Sequence, residues 1–198
     1  CIWVDMKALG VDVLISAPQK GWSASPSAGL VMMSAAARAR VAETQSSSFA
    51  MSLQIWTNIM EAYENGGHAY HATMPTDALE VFRDVMLETQ AYGFDKLKAA
   101  QQALGDGVRA LLAKRGFRSV AADGFGAPGV VVCYTDDGGI QNGSKFAAQG
   151  VQIAAGVPLR CNEPEGFSSF RIGLFGLDKL YDVDATIARL DAAFDAIG

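Results

Sequence analysis

A chain of 198 residues, 50% hydrophobic and 19% charged, has the material for one domain or one and a half, with a substantial core. Its net charge is −5, with acids and bases scattered and no Lys/Arg block, which argues against a nucleic-acid partner. The longest apolar runs fall well short of a membrane span, and no signal-peptide pattern or C-terminal targeting tripeptide is visible.

In chain order, "GVDVLIS" (10–16) reads as a buried strand, four aliphatics bounded by glycine and serine, and "AGLVMMS" (28–34) as another. Between them "APQKGWSASPS" is rich in small residues, Gly and Pro, and reads as a turn. Residues 35–44 look helical, whereas 45–69 mix periods until "NGG" stops whatever precedes it. "PTDALEVFRDVMLETQAYG" is a helix that Pro75 and Thr76 start, with Leu79, Phe82, Val85 and Met86 at helical spacing. "FDKLKAAQQALGDGVRALLAKRG" is a second, with Leu97, Ala100, Leu104, Val108 and Leu111 on one face, Gly116 as its stop and a kink expected at Gly-Asp-Gly.

After Gly116 the texture changes. "FRSVAAD", "GVVVCYT", "GVQIAAG" and "FRIGLFG" read as short strands, "NGSKFAAQ" as a candidate helix, and "DVDATIARLDAAFDAIG" as an amphipathic helix with Asp182 or Asp184 near its start. The chain thus has two parts, residues 1–92 and an α+β unit over 93–198. "GFGAPG" (124–129) matches G-x-G-x-x-G literally, but Pro128 and a β-rich run follow it, so it reads as a turn and not a dinucleotide fingerprint. The sequon at Asn142 carries no weight without a secretion signal.

The three cysteines, Cys1, Cys133 and Cys161, are far apart and form no C-x-x-C, so neither a disulfide framework nor a zinc site is expected. Buried or half-buried thiols in a reducing cytosol fit better. His68 and His71 are the only histidines and have no third ligand nearby in sequence, so no metal is expected.

Three positions carry chemistry. Lys20 stands alone between two apolar runs. A lysine at the mouth of a buried strand is placed to meet a ligand, and surroundings of low polarity would lower its pKa and free the amine as a nucleophile; the other reading is a surface-turn lysine. "YHATMPTDAL" puts hydroxyls and amides at a helix start, a natural anion site or simply a cap. Arg171, in the apolar strand "FRIGLFG", needs an anionic partner, and its planar fork suits a carboxylate, either a ligand's or one in a structural ion pair.

With Gly10, Asp12, Ser16, Gln19, Lys20 and Pro26 in place, the first stretch resembles the cofactor-lysine segment of class V aminotransferases, in the alanine–glyoxylate and serine–pyruvate branch. "YHATMP" and "RIG" are similar to two further segments of that family, in the same order. The resemblance runs from about Gly10 to the C-terminus. It implies an α/β fold, the pyridoxal-phosphate (PLP) transferase fold type I, with residues 1–92 as the remainder of the large domain and 93–198 as the small α+β domain. It implies that Lys20 carries PLP as a Schiff base, that Gln19 lies beside the cofactor, and that Arg171 grips the substrate α-carboxylate. Tyr70 and Thr73 would reach the neighbouring subunit's cofactor phosphate in a homodimer. The implied reaction is transamination between a small amino acid (alanine or serine type) and a keto acid (glyoxylate or pyruvate), in the cytoplasm.

Members of that family are roughly twice this length. By the same resemblance the chain is the C-terminal half. The aromatic residue that stacks on the cofactor, the phosphate-holding turn and the aspartate facing the pyridine nitrogen would lie upstream. Asp5 is too near Lys20 to be that aspartate. "Ala-Pro" stands where the family more usually has Gly-Ser before Gln19, and Trp22 is either a pocket residue or packing under the turn. Two alternatives stay open. One is a cysteine desulfurase or other lyase of the same fold, which would use Cys161, although desulfurases usually have His where Gln19 stands. The other is a catalytically incomplete fragment or partner subunit, whose uncovered apolar strand edges would make it aggregate or pair.

Overall fold

The computed structural model describes residues 3–198; Cys1 lies outside them. The chain divides into two compact units. One comprises Val4–Gln19 and Ala24–Asp84, and the other Lys20–Ser23 and Val85–Gly198 together with Trp3.

In the N-terminal unit, β1 (Val13–Ser16) and β2 (Leu30–Met33) form an antiparallel ribbon, paired from Val13↔Met33 to Ser16↔Leu30. Gly10, with φ +64°, supplies the left-handed residue that turns the chain towards β1, a conformation costly for any side chain. Asp12 then ties the ribbon to helix α1 (Ala35–Ala42). The Ser34 hydroxyl donates to Asp12 Oδ1 at 2.6 Å, and its N–H donates to the Asp12 carbonyl at 2.8 Å. Ser34 Oγ also caps α1 by accepting the Ala37 N–H at 3.1 Å. Helix α2 (Leu53–Glu64) fills the stretch whose period was mixed; Ser52 caps it, and Asn65 with Gly66 at φ +75° ends it. Helix α3 (Thr76–Tyr92) runs on past Asp84.

The expectation of buried strands fails here. Ile15 is 73% exposed and Val13 46%. The aliphatic run records that both faces of the ribbon are apolar, but a two-stranded ladder has nothing of its own to lay over them.

The C-terminal unit closes its own core. Helix α4 (Phe94–Lys114) and helix α8 (Val183–Ile197) pack together against the sheet β3 (Val130–Tyr134), β5 (Ser169–Gly173), β4 (Ala154–Ala155), antiparallel in the order β3-β5-β4. Leu104, Val108, Phe146 and Phe170 are fully buried. The rings of Phe117 and Phe146 lie edge-on to Phe170 and Phe194 at 5.1 and 5.0 Å. Short helices α5 (Gly138–Gln141), α6 (Ser144–Ala147) and α7 (Leu177–Leu180) connect these elements, and Asp182 caps α8.

The Gly-Asp-Gly expected to kink does not interrupt α4, which is continuous; its glycines permit close packing. A Cβ at Gly105 would stand 2.8 Å from the Cα and carbonyl oxygen of Pro128. Gln101, buried beside it, donates to the Pro128 and Leu174 carbonyls at 3.0 and 3.2 Å, which satisfies the loop it covers. "FRSVAAD" is no strand but a single bridge, Ser119↔Cys133, and "GVQIAAG" shrinks to the two residues of β4. Neither segment has more than a short edge to pair with. Among the described residues no helix is long and apolar enough to cross a membrane.

Candidate functional site

Lys20 sits at the tip of the turn after β1. Its carbonyl accepts the Ser23 N–H at 2.9 Å, and Ser23 takes a left-handed φ of 54°. A serine held there is a local strain of the kind that accumulates at functional turns. The Lys20 side chain is exposed, so the expected low-polarity surroundings are absent: the strands on either side that were to bury it are themselves open. Its ammonium makes no hydrogen bond and no ion pair among the described residues. Gln19 is exposed beside it, and Trp22 is half-buried. Ser23 adjoins Gly176, where an added Cβ would meet Ser23 Oγ at 2.9 Å; the lysine turn is therefore neighbour to the loop that follows the Arg171 strand.

Arg171 lies on β5, the central strand, half-buried, opposite Val132 and Ala154. Its Nε–H donates to the Ala155 carbonyl at 2.9 Å. Among the described residues no carboxylate pairs with it. One edge of the guanidinium is anchored and both terminal nitrogens are left with their donors unspent. A bidentate carboxylate fits that pattern.

Tyr70 and Thr73 come together in the N-terminal unit. Their hydroxyl oxygens are 3.0 Å apart, and both side chains are exposed just ahead of α3, where the Leu79 N–H donates to Pro75. The nearby His71 ring is structural: its Nε2 is 2.8 Å from the Phe49 carbonyl, and it packs on Phe49 and Trp56. Cys161 is an exposed thiol in the loop before β5, between Arg160 and Asn162 at left-handed φ of 58° and 65°. The Glu163 carboxylate pins that loop by accepting the backbone N–H groups of Arg160 and Cys161 at 2.7 and 2.8 Å, and these bonds hold its pKa below the usual range.

The sequence reading missed a cleft of about 540 Å³ in the C-terminal unit, lined by Arg118, Tyr134, Asp136, Ile140, Glu165 and Phe167 among others. The Arg118 guanidinium lies over the Tyr134 ring at 3.8 Å, and Phe167 meets the same ring edge-on at 5.5 Å. Asp137, on the rim, is spent. It pairs with Lys145 and accepts the Gly139 and Ile140 N–H groups at the start of α5, and the Lys145 ammonium above all pushes its pKa down.

No protein-family model matches the chain, and no curated protein is recognisably similar to it in sequence. Solved structures are. Alanine–glyoxylate aminotransferase from Nostoc sp. superposes with a TM-score of 0.78 at 18% identity, over 99% of this chain and 50% of that one. Aspartate aminotransferase from Thermus thermophilus does so with a TM-score of 0.75 at 21% identity, over 98% and 51%. Serine palmitoyltransferase from S. paucimobilis, with a PLP–myriocin aldimine bound, gives 0.50 at 16% identity, over 98% and 42%. The fold is therefore that of the fold type I PLP-dependent transferases, and the resemblance read from three sequence segments extends along the whole chain as a fold. The chain spans about half the length of the structures it matches.

Proposed function

We propose that this chain belongs to a PLP-dependent aminotransferase that moves an amino group between a small amino acid (alanine or serine type) and a keto acid (glyoxylate or pyruvate). The observation that carries this is Arg171, an anchored guanidinium in a central strand whose terminal nitrogens meet no acid among the described residues. The donor set fits the cofactor: an unpaired primary amine at Lys20 for its aldehyde, a pair of exposed hydroxyls at Tyr70 and Thr73 for its phosphate, and Gln19 beside the lysine. When bound, PLP supplies an electron sink for the bond broken at the substrate's Cα. The protein's part is positional and acid–base: Arg171 holds the α-carboxylate and thereby aims the Cα–H bond, and Lys20 Nζ takes up that proton and later returns it.

On this reading the protein is a cytoplasmic homodimer, with Tyr70 and Thr73 serving the partner's site, and residues 1–92 and 93–198 are the large-domain remainder and the small domain. The experiment is cofactor attachment. The purified chain is mixed with PLP, reduced with borohydride and its labelled peptide mapped, with Lys20→Ala as control. Label confined to Lys20 is expected; label scattered over surface lysines refutes a specific site in this chain and favours an incomplete fragment. A second reading, a desulfurase or related lyase, draws on the exposed thiol of Cys161. Loss of turnover in Cys161→Ser would favour it, and a strict need for a keto-acid acceptor would sink it.

A further inference from the structure

We infer that the cleft at the end of β3 is a second binding site, for a free amino acid bearing an apolar side chain, held by both of its charges. None of its residues takes part in the proposed reaction.

The site is built by strand register. Ser119 pairs with Cys133, Tyr134 with Ser169 and Val132 with Arg171. Directly paired residues share a face, and alternate residues along a strand share it too. Cys133, Phe170 and Ile172 face the core, so Arg118, Tyr134 and Arg171 project from the opposite face. The loop over 164–168 and the start of α5 wall in the Arg118 end of that face.

The charges there are unspent. The Arg118 guanidinium lies over the Tyr134 ring, and among the described residues the side chains of Arg118, Asp136 and Glu165 make no hydrogen bond and no ion pair. A cation and two carboxylates thus line one cleft without neutralising each other. With its carbon 3.8 Å from the tyrosine ring centre, Arg118 still has its N–H donors to offer a carboxylate. The acids offer partners for an ammonium. Phe167 and Ile140 add apolar lining to the same cleft, and about 540 Å³ is within the range of small-ligand clefts. A purely anionic ligand would meet two uncompensated carboxylates. A bare cation would find the tyrosine face, its natural seat, already taken by Arg118. A zwitterion satisfies all three groups.

Hydrogen-exchange mass spectrometry on the full chain tests this, with L-phenylalanine as probe, phenylalaninamide lacking the carboxylate, and 3-phenylpropionate lacking the amine. Phenylalanine is expected to protect peptides covering 116–118, 134–140 and 164–168 saturably, with half-saturation about tenfold lower than for either singly charged compound. Arg118→Gln should bring phenylalanine to the level of the amide, and Asp136→Asn with Glu165→Gln to that of the propionate. Arg171→Gln should leave the protection unchanged, which keeps this site separable from the proposed substrate site. No saturable protection by about 10 mM overturns the inference. So does equal protection by a singly charged compound, or protection that survives Arg118→Gln and vanishes in Arg171→Gln.

Discussion

The two units of this chain are built from equally apolar sequence and reach opposite outcomes. In the N-terminal unit Pro18, Ala24, Ser52 and Phe82 are the buried residues, and the β1–β2 ribbon shows Val13 and Ile15 to solvent. In the C-terminal unit two long helices lie over a three-stranded sheet, and Leu104, Val108, Phe146 and Phe170 have no exposed surface at all. The difference lies in what each segment can cover. α4 and α8 each bring an apolar stripe to a sheet of matching size. The ribbon brings two apolar faces and two open edges, with no layer to set on either. Local apolarity records how much burial a segment needs; the supply of covering layers decides whether it occurs.

The sharpest test is to delete equivalent apolar bulk from each. Phe170→Ala removes a ring from the centre of the aromatic cluster and should cost about 3–5 kcal/mol in urea unfolding. Ile15→Ala, at a site 73% exposed, should change stability by about 0.5 kcal/mol or less. Comparable losses would mean that the ribbon is covered in solution and that the contrast drawn here is wrong.

A smaller effect separates rigid from yielding contacts within the C-terminal unit. At Gly105 a new methyl meets the Pro128 backbone at 2.8 Å, whereas at Gly107 it meets the tip of the Ile187 side chain, which can turn away. Alanine in a helix is favoured over glycine by about 1 kcal/mol. Gly105→Ala should nonetheless lose about 1–3 kcal/mol to overpacking, and Gly107→Ala should lose less or gain. Thermal melts of the two variants in parallel decide it; a stabilised Gly105→Ala would show that the Pro128 loop gives way.

How much of this was legible in the sequence follows the same division. α3, α4 and α8 announce themselves because their periodic apolar stripes and caps are local; of the two aspartates the sequence offers at the start of α8, Asp182 is the cap and Asp184 sits in the first turn. The strands β1, β2, β3 and β5 were legible as strands. The exposure of the first two was not, because an aliphatic run does not name its neighbour. Residues 117–123 and 150–156 read as strands on composition, but pairing is a property of two segments, and these find only a bridge and a two-residue edge. In the candidate site, the lysine turn, the Tyr70–Thr73 pair and Arg171 are each contiguous motifs and could be found one at a time. The Arg118 cleft could not. Its charges lie at 118, 136 and 165, and they meet through the pairing of β3 with β5, one isolated bridge at Ser119 and the loop before β5, which leave no mark within a window of sequence.

The ribbon also makes a prediction about association. If its open faces and edges are what the N-terminal unit lacks cover for, the chain should self-associate, and Ile15→Lys should suppress that with little change in the unfolding of the C-terminal unit. Light scattering across a concentration series reads the first effect and urea unfolding the second. A wild-type chain that stays monomeric at every concentration would remove the ribbon as an adhesive surface.

The smallest expected effect concerns pH and the closed unit. Asp137 is held below its usual pKa of 3.8, first by the Lys145 ammonium and then by the Ile140 and Gly139 amides. A carboxyl whose folded pKa is depressed binds its proton more readily when unfolded. Its contribution is therefore fully present above the unfolded value and is lost as pH falls through the folded one. Asp137→Asn cannot form the ion pair with Lys145 at any pH. The variant should melt below the wild type at pH 7, and the gap should close as the pH is taken below 3.8. Because both side chains of the pair are partly open to solvent, the gap should also shrink in high salt. A gap of constant size from neutral to acid pH would show that Asp137 works as a neutral cap of α5, through geometry that asparagine also supplies, and not through its charge.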